Sequence, residues 1–430
     1  MPQPLNTRLR RIAERAEKDK QCVFIQLNRH IDLELLREAY RRINKKSAAG
    51  ISGKTAKEYE ADLEVNLQKL YDRLRNGSYR IPNIRRVWIE KEDGSKRALG
   101  IPETEDKIVQ KAIAMLLTEV YEQDFCDFSH GFRPGRSAHA ALGQIRTNCF
   151  GKSTRWIIDV DISKFFDTID HGELMRIIQQ RVNDGILLKY ISGWLKTGVV
   201  QGGIVEYPEE GTPQGGVISP LLANIYLHHV LDLWFVKEVQ PRMHGKVWLT
   251  RFADDLVIGT EQQDDARRIL EVLPKRMGKY GLTLHSTKTK LVHFQPPQAI
   301  DENDERTFTF LGFTHYWGRT RQGRWTIKRK IASKRIRRTM RNLWHWCKAN
   351  RHQAIKLQHQ MLSSKLRGWY QYYAIPCNYE IMSAVRDRTK RMWHYWLSRR
   401  SAQSYIRWTK FSALLERFAL PTPRIIHSTI

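Results

Sequence analysis

The chain has 430 residues, of which 41% are hydrophobic, enough for two or three domains and an ordinary buried core. Lys and Arg number 73 against 45 Asp and Glu, a net charge of +28, and that balance points to a polyanionic partner, nucleic acid first. Five scattered cysteines (Cys22, Cys126, Cys149, Cys347, Cys377) with no CxxC pair argue against a disulfide framework or a cysteine zinc site, and no apolar run approaches the length of a membrane span.

The first 85 residues read as mostly helical. The opening MPQPLNTRLRRIAERAEKDK is basic, without the apolar core of a signal peptide, and its acidic residues argue against a transit peptide. A cytoplasmic location is the expectation. Apolar residues at helical spacing (Leu33, Leu36, Ala39, Tyr40, Ile43) predict a helix over 33–43, closed before Gly50 and Gly53, and a second helix spans 58–75 before Asn76-Gly77. From Arg85 the pattern turns to strands, with 85–90 and 97–101 facing each other across a turn at Glu92-Asp93-Gly94. A helix over 107–121, a strand over 156–162 and a helix over 171–181 follow. An apolar run at 217–230 precedes two strands, 247–252 and 256–260, that flank Ala253-Asp254-Asp255. A helix over 264–280 leads to a strand over 283–294. This mixed order indicates an α+β domain. Beyond Trp317 the strand signal fades and a basic helical region begins.

That last region carries most of the charge. Residues 319–430 contain 26 Lys and Arg against Glu380, Asp387 and Glu416, a net of +23, and seven of the 13 tryptophans. Cations neutralise phosphates and aromatic faces stack on exposed bases. The plainer role for any single tryptophan is its own helical core.

Phosphoryl transfer needs a cation clamp on the attacking and leaving oxygens, and magnesium takes hard oxygen ligands. Trp156-Ile-Ile-Asp159-Val-Asp161-Ile-Ser-Lys-Phe-Phe-Asp167 places acids in an apolar strand, where burial is costly without a cation. Arg251-Phe-Ala-Asp254-Asp255-Leu-Val-Ile places two more at a hairpin tip. An Asp pair in a turn is usually turn chemistry alone. Asp159 and Asp161 fall on one strand face, so spacing does not choose between them.

The order of motifs is more specific. Leu36-Arg-Glu-Ala-Tyr-Arg-Arg-Ile-Asn44, Gly50-Ile-Ser-Gly53, Arg97-Ala-Leu-Gly-Ile-Pro102, Asp106-Lys-Ile-Val-Gln110, Gly131-Phe-Arg-Pro-Gly-Arg-Ser-Ala-His139, Asp161-Ile-Ser-Lys-Phe-Phe-Asp167, Gly211-Thr-Pro-Gln-Gly-Gly-Val-Ile-Ser-Pro-Leu-Leu-Ala-Asn224, Phe252-Ala-Asp-Asp255, Lys288-Thr-Lys290 and Phe310-Leu-Gly-Phe313 succeed one another. In that order the chain resembles a group II intron-encoded reverse transcriptase, or maturase, over nearly its whole length. It departs at Ser52, where the family usually has Asp, and at Phe252, where it more often has Tyr. Past Trp317 the likeness loosens to Lys365-Leu-Arg-Gly-Trp-Tyr-Gln-Tyr-Tyr373, which resembles the helical thumb, and no endonuclease pattern with paired cysteines follows.

The resemblance implies a right-hand polymerase: a helical extension and the start of the fingers over 1–85, fingers and an antiparallel palm over 86–318, and a basic helical thumb, the maturase domain, over 319–430. It selects Asp161, with Asp254 and Asp255, as ligands of two magnesium ions (manganese substituting), and adds the Ile162 carbonyl. Phe166 falls at the steric gate that excludes a ribose 2′-hydroxyl, and Phe165 beside it is core. Lys91 and Arg97 face the incoming triphosphate, Gln214 with Gly215-Gly216 the nascent base pair, and Lys288 the leaving pyrophosphate, with Lys290 left as an alternative. The implied partners are an RNA template, a DNA primer, deoxynucleotides and a structured intron RNA, with no membrane. Two other functions compete: a free-standing reverse transcriptase recruited to phage defence, DNA repair or spacer acquisition, and a splicing chaperone without polymerase activity. A group II ribozyme in the flanking DNA separates the first from the intron role.

Overall fold

The computed structural model describes residues 4–90, 96–201, 204–206, 210–211, 215–296, 306–401 and 403–427. They form two compact units, residues 1–141 with 160–290, and residues 142–159 with 291–430.

The first unit opens with α1 (Leu5–Lys18), α2 (Leu33–Arg42), α3 (Ala56–Glu60) and α4 (Leu63–Arg75). Local chemistry sets their ends. Asp32 caps α2 by accepting the Leu35 amide at 2.9 Å, and Thr55 with Glu58 forms a capping box on α3. The helix expected over 58–75 is therefore two helices, and the predicted 33–43 helix closes at Arg42. A hairpin of β1 (Ile84–Glu90) and β2 (Lys96–Ile101) comes next, with Ile89 opposite Arg97. It leads into α5 (Thr104–Tyr121), buried along nearly its whole length and packed against α1 and α2. Lys107 on α5 reaches back to Ser47 Oγ (3.1 Å) and the Ala48 carbonyl (2.6 Å), tying down the loop that precedes Gly50. Ser52 donates from its hydroxyl and its amide to Glu103, at 2.6 and 2.7 Å. An aspartate at 52 would set a carboxylate against that carboxylate, so the departure from the family pattern suits its neighbour.

The chain passes out of the first unit within α6 (Ala138–Gly151) and returns within β3 (Trp156–Val160). The strand expected over 156–162 breaks at Asp161. It resumes as β4 (Ile162–Ser163), antiparallel to a later short strand, β9 (Thr283–Leu284). Between them lie α7 (His171–Gln179), α8 (Gly185–Leu195), and β5 (Val199–Gln201) with β6 (Ile204–Glu206), which extend the first hairpin into a sheet of order β2-β1-β5-β6. The apolar run after Gly216 becomes α9 (Ser219–Leu227), which continues in wider turns to Val239. The hairpin of β7 (Val247–Phe252) and β8 (Asp255–Thr260) and then α10 (Gln263–Gly278) follow.

The single strand expected over 283–294 is instead β9 and β10 (Lys290–His293), separated by a turn in which the Thr289 and Lys288 amides both donate to the His285 carbonyl. A polar run, His285-Ser286-Thr287-Lys288-Thr289, has no apolar alternation to hold it in a strand.

In the second unit, β11 (Phe308–Phe310), β12 (Phe313–Arg319) and β13 (Trp325–Ile331) form an antiparallel meander. β13 corrects the expectation that strands end near Trp317. Its basic residues mask an alternation in which Ile327, Arg329 and Ile331 point inward. The helices α11 (Ser333–Ala349), α12 (Ile355–Tyr373), α13 (Tyr379–Leu397) and α14 (Trp408–Arg417) follow. Trp393, Met382, Leu362 and Phe411 are their buried centre. All five cysteines are free thiols.

Candidate active site

β7 is buried from Val247 through Arg251, so the Arg251 guanidinium lies in the interior at 0% exposure. A charge taken that far from water costs several kcal/mol unless it is paired and fully hydrogen-bonded. Arg251 meets both conditions. Its Nε and Nη2 donate to the two oxygens of Asp232 at 3.0 and 2.7 Å, and its Nη1 donates to Asn224 Oδ1 and to the Ala253 carbonyl, each at 3.0 Å. Burial works to raise the Asp232 pKa, but Arg251 and His228 outweigh it and hold the carboxyl below its ordinary value. Asn224 then donates to the Gly131 carbonyl at 2.6 Å.

This network builds the turn between β7 and β8. Ala253 has φ +55°, a left-handed conformation that costs an L-residue about 1–2 kcal/mol, and its carbonyl is the one Arg251 pins. Gly131 packs so closely that a Cβ there would come within 2.3 Å of the Ala253 nitrogen. Gly131, Asn224 and the turn at 251–255, related in the sequence only by their order, are thus joined through Asn224 and the Arg251 guanidinium. The turn leaves Asp254 half-buried and Asp255 exposed.

Asp161 occupies the break between β3 and β4. Its carbonyl accepts the His285 amide at 2.8 Å, and the turn after His285 brings Lys288 Nζ to 2.7 Å from Asp161 Oδ2. The broken strand is therefore what delivers Lys288, whereas Lys290 opens β10. Ile162 pairs with Leu284 in a register flanked by that His285 bond, so its own carbonyl points away from β9.

Lys164, at φ +46°, turns the chain into a short 3-10 segment, Phe165–Asp167. The turn sends Phe165 into the core at 2% exposure and leaves Phe166 half-buried, with the two rings 5.3 Å apart. Gly211, at φ +87°, crosses directly over this segment, and a Cβ there would lie 2.7 Å from the Phe166 carbonyl oxygen. Only glycine lets that loop approach so closely. Arg97 holds its position on β2 opposite Ile89, while Lys91 and Gln214 lie outside the described residues.

Among the described residues, no three His, Cys, Asp or Glu side chains gather closely enough to hold a metal ion. The donor chemistry nevertheless suits a hard divalent cation. Asp161 already accepts a cationic group in the Lys288 ammonium, and two more carboxylates stand at a turn whose backbone is locked from behind.

Sequence reasoning gave no role to Arg251, Asp232, Asn224, Asp106 or Gln110. An arginine in Val-Trp-Leu-Thr-Arg-Phe and an aspartate in Val-Leu-Asp-Leu-Trp were the available signals, since each interrupts an apolar run.

The second unit shows a different surface. Of its seven tryptophans after residue 318, Trp393 is buried, Trp408 is 49% exposed and the others are half-buried. Cations lie over several aromatic rings: Lys348 and Arg351 over Trp396, Lys365 over Trp346, Arg319 over Trp325 and Arg399 over Tyr395. Trp344 packs against Tyr395 and Trp396. Interleaved cations and accessible ring faces are what a sequence-tolerant nucleic-acid surface requires. No helix among the described residues is long and apolar enough to cross a membrane.

Comparison with known proteins agrees with this chemistry. The family model described as reverse transcriptase (RNA-dependent DNA polymerase) matches residues 89–315, just over half of the chain. Protein YkfC of Escherichia coli K12 is 33% identical over 324 residues, covering 67% of this chain and 81% of its own length. The group II intron-encoded protein LtrA of Lactococcus lactis subsp. cremoris is 35% identical over 224 residues, 52% of this chain and 37% of its own length. The putative COX1/OXI3 intron 1 protein of Saccharomyces cerevisiae is 31% identical over 314 residues, 62% of this chain and again 37% of its own length. The alignments thus span little more than a third of these two intron proteins. The chain belongs to the reverse transcriptase (RNA-dependent DNA polymerase) family and, within it, is similar to the group II intron-encoded proteins.

Proposed function

We propose that the chain is an RNA-directed DNA polymerase of the group II intron type, which binds intron RNA, assists its splicing and copies RNA into DNA for intron mobility. In this reading the molecule is a right hand. The β1–β2 hairpin belongs to the fingers, the β7–β8 hairpin with Asp161 to the palm, and residues 319–430 to a basic thumb that follows the template–primer duplex.

Asp161, Asp254 and Asp255, with the Ile162 carbonyl, would hold two magnesium ions, or manganese in their place. When bound, such ions lower the pKa of the primer 3′-hydroxyl and offset charge on the reacting phosphate. The chain's own residues do the rest. Phe166 would close the space a ribose 2′-hydroxyl needs and so select deoxynucleotides. Lys91 and Arg97 would hold the triphosphate, Gln214 would line the nascent base pair, and Lys288 would neutralise the departing pyrophosphate from beside Asp161. The tryptophan and arginine surface of α11 and α13 would engage RNA.

The observation that carries this reading is the Ala253-Asp254-Asp255 turn, a strained left-handed residue held from behind by a fully buried ion pair, inside the segment that matches the family. Such construction is wasted on an ordinary surface turn. The test is extension of a DNA primer on an RNA template with magnesium. Deoxynucleotide incorporation abolished by chelation and restored by magnesium or manganese is the expected result. A protein that binds the duplex normally yet never extends it would contradict the reading. Tight, specific binding to a group II intron RNA, relative to an unrelated structured RNA of equal length, checks the intron role.

A further inference from the structure

Val217 and Ile218 lead directly into α9. The side-chain oxygen of Gln110, on α5, accepts both of their amides, from Val217 at 2.7 Å and from Ile218 at 3.4 Å. Gln110 is 3% exposed. Because backbone N–H groups only donate, the oxygen of this amide has to face them, and its nitrogen has to face the other way. That nitrogen donates to Asp106 Oδ2 at 2.8 Å, one turn earlier on α5.

Asp106 is 0% exposed, and its other oxygen accepts Tyr79 Oη at 2.9 Å and Trp194 Nε1 at 2.8 Å. An indole N–H and an amide NH₂ are donors and nothing else, so this position is required to accept on both oxygens. Among side chains of this size, only a carboxylate does so. An asparagine cannot.

We propose that Asp106 is a positioning residue for the loop residues 215–218 that enter α9: its carboxylate sets the orientation of the Gln110 amide, and that amide holds them by the Val217 and Ile218 N–H groups. The functional side of this inference rests on the reading of that loop as one wall of the nucleotide site. The chain of direction is Tyr79 and Trp194 to Asp106, Asp106 to Gln110, and Gln110 to the loop. Asp106 touches no substrate and acts only through this relay.

The relay makes an unusual demand on mutants. Asp106→Asn presents an NH₂ to the NH₂ of Gln110. Gln110 must then turn over, and its nitrogen meets the Val217 N–H, donor against donor. Asp106→Asn combined with Gln110→Glu restores every pairing. The carboxylate introduced at position 110 accepts the new NH₂ from position 106 on one oxygen and the Val217 amide on the other. The amide oxygen introduced at position 106 still accepts Tyr79 and Trp194. Tyr79→Phe removes one donor without disturbing the direction of Gln110.

The experiment measures amide hydrogen exchange at Val217 and Ile218 in the full chain, alongside KM for deoxynucleotide in primer extension. Asp106→Asn is expected to speed exchange at these amides about tenfold, the scale of one lost buried hydrogen bond, and to raise KM more than it lowers kcat. The double variant returns both toward wild type, and Tyr79→Phe leaves both near wild type. The proposal is overturned if Asp106→Asn changes neither, if the double variant is no better than the single one, or if Tyr79→Phe matches Asp106→Asn. Should wild type fail to extend any primer, the polymerase reading falls, and the exchange measurements still decide the relay.

Discussion

At the scale of single residues, Asp106 has a consequence for stability as well as position. Burial pushes its pKa up to about 6, against the hydrogen bonds from Trp194, Tyr79 and Gln110, which favour the charged form; Glu103 adds a smaller push upward. Tyr79, the titratable group in contact, stays neutral because its own pKa is raised as well. A folded-state pKa above the unfolded value means that the native state holds the proton more tightly. The stabilising contribution is therefore full below about pH 4 and is lost as pH rises to about 6, a change on the order of 3 kcal/mol. Urea unfolding of wild type across pH 4 to 7 should show this decline, and Asp106→Asn should flatten it; an equal decline in the variant would assign it to other groups. Phe166 carries a second residue-scale prediction. Replacing it with valine should raise ribonucleotide incorporation by about tenfold or more, since sugar discrimination here comes from a filled volume; unchanged selectivity would remove the gate from Phe166. The core position of Phe165 was legible from the motif order, and its burial agrees with that reading. The choice between Lys288 and Lys290 was not legible, because it depends on a turn that interrupts the strand.

At the scale of elements, hairpins announced themselves and buried polar hubs did not. The β1–β2 and β7–β8 pairs follow alternation and turn residues that any reader of the sequence can see. β13 was hidden because Lys328, Arg329 and Lys330 interrupt its apolar residues, and Arg329 points inward despite its charge. The Arg251 network was hidden for a deeper reason. A hydrogen-bond network joins residues by direction, and spacing along the chain carries no information about where a guanidinium fork will point. Breaking the network is testable. Asp232→Ala leaves Arg251 buried without its carboxylate and should cost about 3–5 kcal/mol in unfolding free energy. Asp232→Leu with Arg251→Met should recover much of that stability while primer extension stays low, because the Ala253 carbonyl loses its donor. Recovery of activity together with stability would reduce the network to packing alone.

At the scale of the whole molecule, the charge is unevenly placed, and this was the most legible feature of all. Residues 319–430 carry +23 of the total +28. The structure adds what composition could not: of the seven tryptophans there, one is fully buried, and cations lie over the accessible rings of several others. Binding to an RNA–DNA duplex should therefore weaken steeply with salt, by about a thousandfold or more between 50 and 200 mM if six or more phosphates are neutralised. Substituting Trp396 and Arg351 together should lower affinity and reduce the salt slope by about one unit, the share of one phosphate contact. A salt-independent affinity would place recognition elsewhere.

Metal-dependent DNA synthesis on an RNA template is the activity proposed for the carboxylates at the Ala253-Asp254-Asp255 turn and at Asp161. The most direct measurement is single-turnover extension of a DNA primer on RNA by wild type and Asp254→Asn, with duplex affinity measured on the same preparations. Wild type should extend the primer, the variant should lose at least about a thousandfold, and the two affinities should lie within a few-fold of each other. Full activity in Asp254→Asn, or a wild type that binds and never extends, would contradict it.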